Sequence, residues 1–402
     1  MLKKKKKNVL KIYNLPKEIK FCKKCVVSNQ RPRITFDKNG VCNACTNVEN
    51  KPKINWPERE KELIELLKKY RKNNGKFDVI VPSSGGKDSS IVAHKLKYKY
   101  NMNPLTVTWA PHVYTDIGWK NFQGLIHSGL TNILGTPNGK VHRNLTRDSL
   151  IEIGDPFQPF IYGQVSFPVK MALQFDVKLI MDGENGEVEY GGEKKSSKKS
   201  FSRKDEIKFW FSDYEAKKWL KKGYNKKDID IYLSPSTDEI LSKKINRQFW
   251  SYYSFWDPQE HFYYASRYTG FKPNPDGRSE GTFSKYASLD DATDGFHFYF
   301  MYLKFGIGRG TSDAAHEIRD KHITRKEGVK LVKKFDGEFP RKYYKQFLNY
   351  CGITNKQFNQ ICDSWRSDHI WKKQNGKWKL KYPIYKAIQI TREKLDKKYS
   401  KK

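Results

Sequence analysis

From Phe77 onward, short β-branched runs alternate with helical or loop stretches, at Val79 to Val81, Leu105 to Trp109 and Val177 to Met181. That alternation predicts an α/β fold on a parallel sheet, whose ligands lie beyond the carboxyl ends of the strands. The segments just after the runs, SSGGKDSS, WAPH and DGENGEVEYGG, are therefore where chemistry is expected. Ahead of the sheet, Leu63, Ile64, Leu66, Leu67 and Tyr70 recur at helical spacing, and predict a helix over 57–72 entered at Asn55 and Pro57 and left at Gly75. Beyond it, EKKSSKKSFSRK (193–204) is poor in apolar residues and reads as an excursion, either a loop or a lid over a phosphate-bearing substrate. An aromatic tract follows from Phe249 to Tyr268, suited to a core, a subunit contact or stacking on sugar or base. From Thr311 the pattern is mainly helical, with a capping box at Thr324 and Glu327.

These patterns divide the chain into a basic arm (1–20), a cysteine-bearing unit (21–50), a linking helix (51–76), an α/β core (77–192), the loop with its aromatic-rich insertion (193–300) and a helical C-terminal region (301–402).

The 402 residues carry 78 Lys and Arg against 44 Asp and Glu, a formal charge of +34. Such a charge suits an anionic partner, but lysines spread along the whole chain do not by themselves select nucleic acid. The basic start lacks a secretory apolar stretch and no run reaches membrane-spanning length, so a cytoplasmic protein without a membrane span is expected.

The most specific motif is Ser84-Gly85-Gly86-Lys87-Asp88-Ser89-Ser90, between the apolar run FDVIVP and the helical pattern IVAHKL. Glycines let the backbone approach a phosphate, a helix amino end supplies partial positive charge, and Lys87 and the serines add donors. Asp88 could orient the loop or help hold Mg²⁺. The spacing is not that of a Walker A loop. It resembles the pyrophosphate loop of the ATP-pyrophosphatase superfamily, whose members cleave ATP between its α- and β-phosphates.

Cys22-x₂-Cys25 and Cys42-x₂-Cys45 form two knuckles sixteen residues apart, able to close a tetrahedral Zn²⁺ shell with no open position. The zinc is thus expected to be structural, supplying folding free energy that a short unit with little core cannot. Cys351 and Cys362 are left over.

The blocks FCKKCVVSNQRPRITFDKNGVCNAC, VPSSGGKDSS, NPLTVTWAPHVYTDIGWKNF, TPNGKVHRNLTR, GDPFQPFIYGQ, GENGEVEYGG and RGTSDAAHEIRDKHITR together resemble the N-acetyl sugar amidotransferase family. The resemblance extends from about Cys22 to Pro340. It implies a HUP-like (adenine nucleotide alpha hydrolase-like) core with a zinc-ribbon-like unit. It also implies ATP-dependent conversion of an acetamido to an acetamidino group on a sugar of lipopolysaccharide or of the pseudaminic and legionaminic acid type. Ammonia would come from a separate glutaminase subunit, with or without a cyclase-like companion.

On this reading Ser84 to Ser90 cradle pyrophosphate, while Trp109 and Ala110 either meet adenine or simply bury the strand end. Asp182, Glu184 and Glu187 offer carboxylates for Mg²⁺ or ammonia, or are solvated turn acids. Arg309 and Lys321 are candidates to neutralise departing phosphate. His316, Arg319 and Asp320 share one helical face, suited either to the site or to solvated ion pairs. Asp155 and Gln158 are candidates for sugar hydroxyls, or for forming a turn.

Two rivals share these motifs. A tRNA thiolation enzyme would need a catalytic cysteine, for which only Cys351 and Cys362 remain, and a zinc-ribbon nucleic-acid-binding module would not need an intact SGGKDSS.

Overall fold

The computed structural model describes residues 6–183, 185–192, 203–211 and 213–386. Glu184, the 193–202 portion of the Lys/Ser-rich excursion and the tail after 386 lie outside the described residues.

Five parallel strands form the central sheet: β1 (Val79–Pro82), β2 (Pro104–Trp109), β3 (Thr131–Gly135), β4 (Leu179–Asp182) and β5 (Asn246–Phe249). Their order is β3-β2-β1-β4-β5, all pairings parallel. The chain first builds outward from β1 through β2 to β3, then returns to place β4 on the other side of β1. That reversal makes the gap between the ends of β1 and β4 the crevice where open α/β sheets bind ligands.

Alternation along β1 sends Val79 and Val81 into one apolar layer and Ile80 into the other. Helices Trp56–Tyr70 and Lys87–Tyr98 cover the first face, and Gly139–Glu152 with Gln158–Gln174 the second. Asn55 caps the first of these by accepting from the Glu58 amide, so the predicted entry signal works as read.

β3 and β5 carry no apolar run in sequence. Both are edge strands, with polar Asn132, Asn246 and Arg247 where a central strand would carry Val or Ile. In the C-terminal region, helices Asp294–Phe305, Tyr344–Cys351 and Asn355–Trp365 pack around Phe296, Phe300, Phe347 and Phe358, whereas Arg309–Arg319 and Arg325–Phe335 pack through Ala314, Ala315, Val329 and Val332 against the cysteine-bearing unit. The Thr324–Glu327 capping box is formed. An antiparallel hairpin, Trp371–Gln374 with Lys377–Leu380, lies near the end of the described residues, in a region that the sequence pattern reads as mainly helical. Among the described residues no helix is long and apolar enough to cross a membrane.

Candidate active site and cysteine cluster

Four residues separate the end of β1 at Pro82 from helix Lys87–Tyr98, so the SGGKDSS segment is a tight strand-to-helix turn that runs into the helix's first turn. Gly86 caps that helix, and Gly85 adopts φ +87°. A Cβ on Gly85 would come within 2.6 Å of the Phe122 backbone, so both conformation and space demand glycine. Ser83 Oγ bonds Ser89 Oγ at 2.8 Å and receives the Gly85 amide at 3.4 Å, fixing the turn from within.

A cavity of about 320 Å³ opens beside this loop at the β1/β4 crevice. One wall is polar, with Ser84, Gly86, Asp88 and Ser89, and the other is apolar and aromatic, with Phe160, Trp210 and Phe249. That size and this division into a phosphate-like and a base-like wall fit a nucleotide. Asp182 borders the same cavity and is clamped by Arg247, whose Nε and Nη2 donate at 2.5 and 2.9 Å. Asp88 and Asp182 are the carboxylates that border this cavity, and carboxylate oxygen is the ligand type that Mg²⁺ takes.

Asp88 is the most heavily tethered group of the loop. It pairs with Lys87 Nζ, lies 2.8 Å from His261 Nδ1, and accepts from Trp256 Nε1 at 3.2 Å. Burial alone would raise its pKa, but the charge of Lys87, followed by His261, holds the carboxyl below its ordinary range. His261 and Trp256 belong to the aromatic tract, and nothing in their spacing singled them out. Helix Pro258–Tyr268, capped by Asp257, carries His261 onto the loop.

Lys87 faces the other way. It borders a second, small cavity with Tyr190, Ser284, Tyr286, Arg309 and His316. Arg309 Nε donates to Asp313 at 2.9 Å. His316 is buried, edge-on to Tyr190 at 4.5 Å and Trp256 at 5.1 Å, with no partner for Nε2 among the described residues. Of the helical face Arg309–Arg319, it is therefore His316 with Arg309 that reaches the loop.

The other sequence candidates lie elsewhere. Ser90 is fully buried on the helix, its hydroxyl without a partner among the described residues, and it does not border the nucleotide-sized cavity. Trp109 contributes to that cavity's wall but is packed against Phe167, Tyr232 and Gly163, in keeping with a buried strand end. Ala110 is buried behind it, its amide bonded to Gly135. Asp155 receives His297 Nδ1 at 2.8 Å and the Phe157 amide at 2.9 Å, while Gln158 is buried, and neither borders the loop cavity. Lys321 is exposed beyond its helix.

Glu187 and Arg319 sit at the seam between sheet and cysteine unit. Arg33 forks onto Glu187 through Nε at 3.2 Å and Nη2 at 2.6 Å, Lys51 pairs with Glu189 at 2.8 Å, and Arg319 Nη2 donates to the Glu189 carbonyl. The GENGEVEYGG segment thus holds the cysteine unit against the core through residues chosen for pairing, which a turn-acid reading cannot foresee.

Within that unit Cys22, Cys25, Cys42 and Cys45 are buried with all four sulfurs inside 4.8 Å of one another. Cys22 lies 3.8 Å from Cys45 and Cys25 lies 3.7 Å from Cys42. Four sulfurs at about 2.3 Å from a shared centre would be about 3.8 Å apart, so the cluster is spaced for a tetrahedral Zn²⁺. Amides of Lys24, Cys25 and Cys42 point at Cys22 Sγ, as expected around a thiolate ligand. Arg325 ties the unit to the C-terminal helices by donating to the carbonyls of Cys22 and Cys25.

Residues 280–385 match the family model of the LPS biosynthesis protein WbpG-like C-terminal domain. The uncharacterized protein MJ1599 of Methanocaldococcus jannaschii is 34% identical over 87 residues, 21% of this chain and 31% of that relative, so the match spans less than a third of the relative's length. Among solved structures, the chain is similar to a predicted subunit of tRNA methyltransferase from the same organism, at 19% identity and a TM-score of 0.28, covering 47% of this chain and 76% of that one. It is also similar to the NH3-dependent NAD synthetase of Campylobacter jejuni, at 13% identity and a TM-score of 0.29, covering 48% of this chain and 92% of that one.

Proposed function

We propose that the chain, which resembles the N-acetyl sugar amidotransferase family, activates the amide oxygen of an acetamido sugar with ATP and replaces that oxygen with ammonia. The observation that carries this reading is the SGGKDSS loop at the β1/β4 crevice, with Gly85 locked by φ and space, beside a cavity of nucleotide size. An amide oxygen is a poor leaving group. Its attack on the α-phosphorus forms an O–P bond and expels pyrophosphate, leaving an imidate whose AMP departs readily when ammonia adds. Ser84, Gly86, Ser89 and the amino end of the helix would bind the phosphates, and Asp88 with Asp182 would hold Mg²⁺, which would neutralise phosphate charge. Arg309 and Lys87 add positive charge on the far side of the loop.

The match over residues 280–385 supports an acceptor from lipopolysaccharide chemistry, and a nucleotide-linked sugar of the pseudaminic or legionaminic acid type is the substrate we favour. A separate glutaminase would supply ammonia.

A thiolation enzyme is less well supported. Cys351 and Cys362 are both 2% exposed in the helical C-terminal core. Burial pushes the Cys351 thiol up to about 12 and that of Cys362 higher still, the opposite of an activated nucleophile.

The test is to incubate the chain with ATP, ammonium salt and a panel of free, UDP-linked and CMP-linked N-acetylated sugars, and separately with tRNA. AMP and pyrophosphate release, with a sugar product about one mass unit lighter, is expected. ADP in place of AMP, or turnover with tRNA alone, would remove the reading.

A further inference from the structure

The small cavity on the Lys87 side of the loop has a volume of about 30 Å³, room for one molecule the size of water or ammonia. We propose that it is the ammonia site, where the nucleophile waits as the neutral molecule across the loop from the nucleotide. The inference rests on the adenylylation chemistry above and assigns its second substrate a place.

Position is the first support. Lys87 borders this cavity, whereas its neighbours Gly86 and Asp88 border the nucleotide-sized one, so a single turn of loop is the partition between them. A nucleophile held here stands next to the adenylylation site without occupying it. Tyr190, edge-on to His316, and Tyr286 line the cavity with aromatic surface.

The chemistry of the wall is the second. Ammonia offers three N–H donors and one lone pair, and the imidazole of His316 brings a buried ring nitrogen with no partner among the described residues. The hydroxyl of Ser284 is a further acceptor on the same wall.

Charge is the third. Burial first, then Arg319, Lys51, Arg309 and Lys87, hold His316 well below its ordinary range, and therefore neutral. The same cationic field disfavours ammonium and favours ammonia, the form with a lone pair to donate. The carboxylates on this wall already have partners, Asp313 with Arg309 and Glu317 with Gln259 and His322, so neither is left to retain ammonium.

In the step itself the lone pair of ammonia forms a C–N bond to the imidate carbon. The C–O bond to AMP breaks, and AMP leaves with that electron pair. The three protons of ammonia remain on the resulting amidinium, so no further reactant is needed.

The experiment uses the full chain and the panel sugar that gives the fastest ATP–pyrophosphate exchange. That exchange, measured without ammonia, reports adenylylation, while amidine formation against ammonium chloride at fixed pH reports the nucleophile. Ser284→Val adds methyl groups to the cavity and is expected to raise the KM for ammonia by about tenfold or more, with a change in exchange of less than about threefold. His316→Ala widens the cavity and is expected to admit methylamine, giving an N-methyl amidine by mass spectrometry that the parent does not form. An unchanged ammonia KM in Ser284→Val, with no methylamine use by His316→Ala, would leave the cavity to water and overturn the proposal. Equal loss of exchange and amidine formation would make the cavity part of the adenylylation site, which overturns it as well. Absence of exchange in the parent protein would instead withdraw the adenylylation chemistry, and the ammonia site with it.

Discussion

His261 Nδ1 lies 2.8 Å from Asp88 Oδ1, joining the aromatic tract to the phosphate loop across 173 residues of sequence. The bond, together with the Trp256 indole, fixes which way the Asp88 carboxylate points, and this is the structural task of helix Pro258–Tyr268. A carboxylate that must meet a metal or a phosphate loop is only as well placed as the groups that orient it.

Asp88→Ala should therefore abolish AMP formation, by about 10²-fold or more, with the fold intact. His261→Ala should cost about 10- to 100-fold in the same assay, and His261→Asn, which keeps a donor near Nδ1, distinctly less. Circular dichroism alongside AMP release separates this from unfolding. Parent-level turnover in folded His261→Ala would show that the bond only packs the helix.

Gly85 and Gly86 should respond differently to alanine. Gly85→Ala meets the Phe122 backbone and a left-handed φ together, and is expected to lose more than about 2 kcal/mol of stability in urea unfolding. Gly86 has φ −66°, and the nearest atom to an added Cβ is Ser84 Oγ at 3.5 Å. Gly86→Ala should keep the fold and raise the KM for ATP, because the methyl group projects beside the phosphate wall.

One zinc per chain is expected by elemental analysis of protein purified without chelator. Cobalt substitution should give the intense visible absorption of a tetrahedral thiolate site. Removing the metal should loosen the unit from the core, since Arg325 reaches the carbonyls of Cys22 and Cys25, and the melting temperature should fall. An iron–sulfur spectrum, or four titratable thiols in the untreated protein, would contradict the assignment.

Much of the fold was legible because its central strands and loop obey local rules. Val79 to Val81 is a continuous apolar run, Leu105 to Trp109 is β-branched with Thr106 and Thr108 between its apolar residues, Gly85 of the loop is forced by backbone geometry, and two CxxC knuckles have one common use. β3 and β5 were not legible, since edge strands need no apolar run and Arg247 is in β5 to clamp Asp182. Nor was the seam, because the pairing of Arg33 with Glu187 and of Lys51 with Glu189 exists only once 138 or more residues have folded between them. His316 was legible on a helical face with Arg319 and Asp320, and Arg309 as a candidate cation, but neither as a neighbour of Lys87, which is a tertiary fact.

Asp290 offers a test through pH. Burial, then the nearby carboxylates of Asp294 and Asp291, push it up to about 6, with a hydrogen bond to Ser84 of the loop opposing the rise. An acid whose pKa is higher folded than unfolded binds its proton more tightly in the native state, so stability falls as pH rises between the two values and is level above them. The window is from about 4 to about 6, and the loss is at most about 3 kcal/mol. Asp290→Asn removes the ionisation and keeps a group able to bond Ser84. Its urea midpoint should stay flatter than the parent's across that window and lie above it at pH 7.5. Because Asp290 touches the loop, the same change should also tighten ATP binding at neutral pH, where the parent presents a negative charge to the phosphates. Parallel pH profiles for the two proteins would mean that the carboxyl is solvated, and that the 290–294 acids do not weigh on the loop.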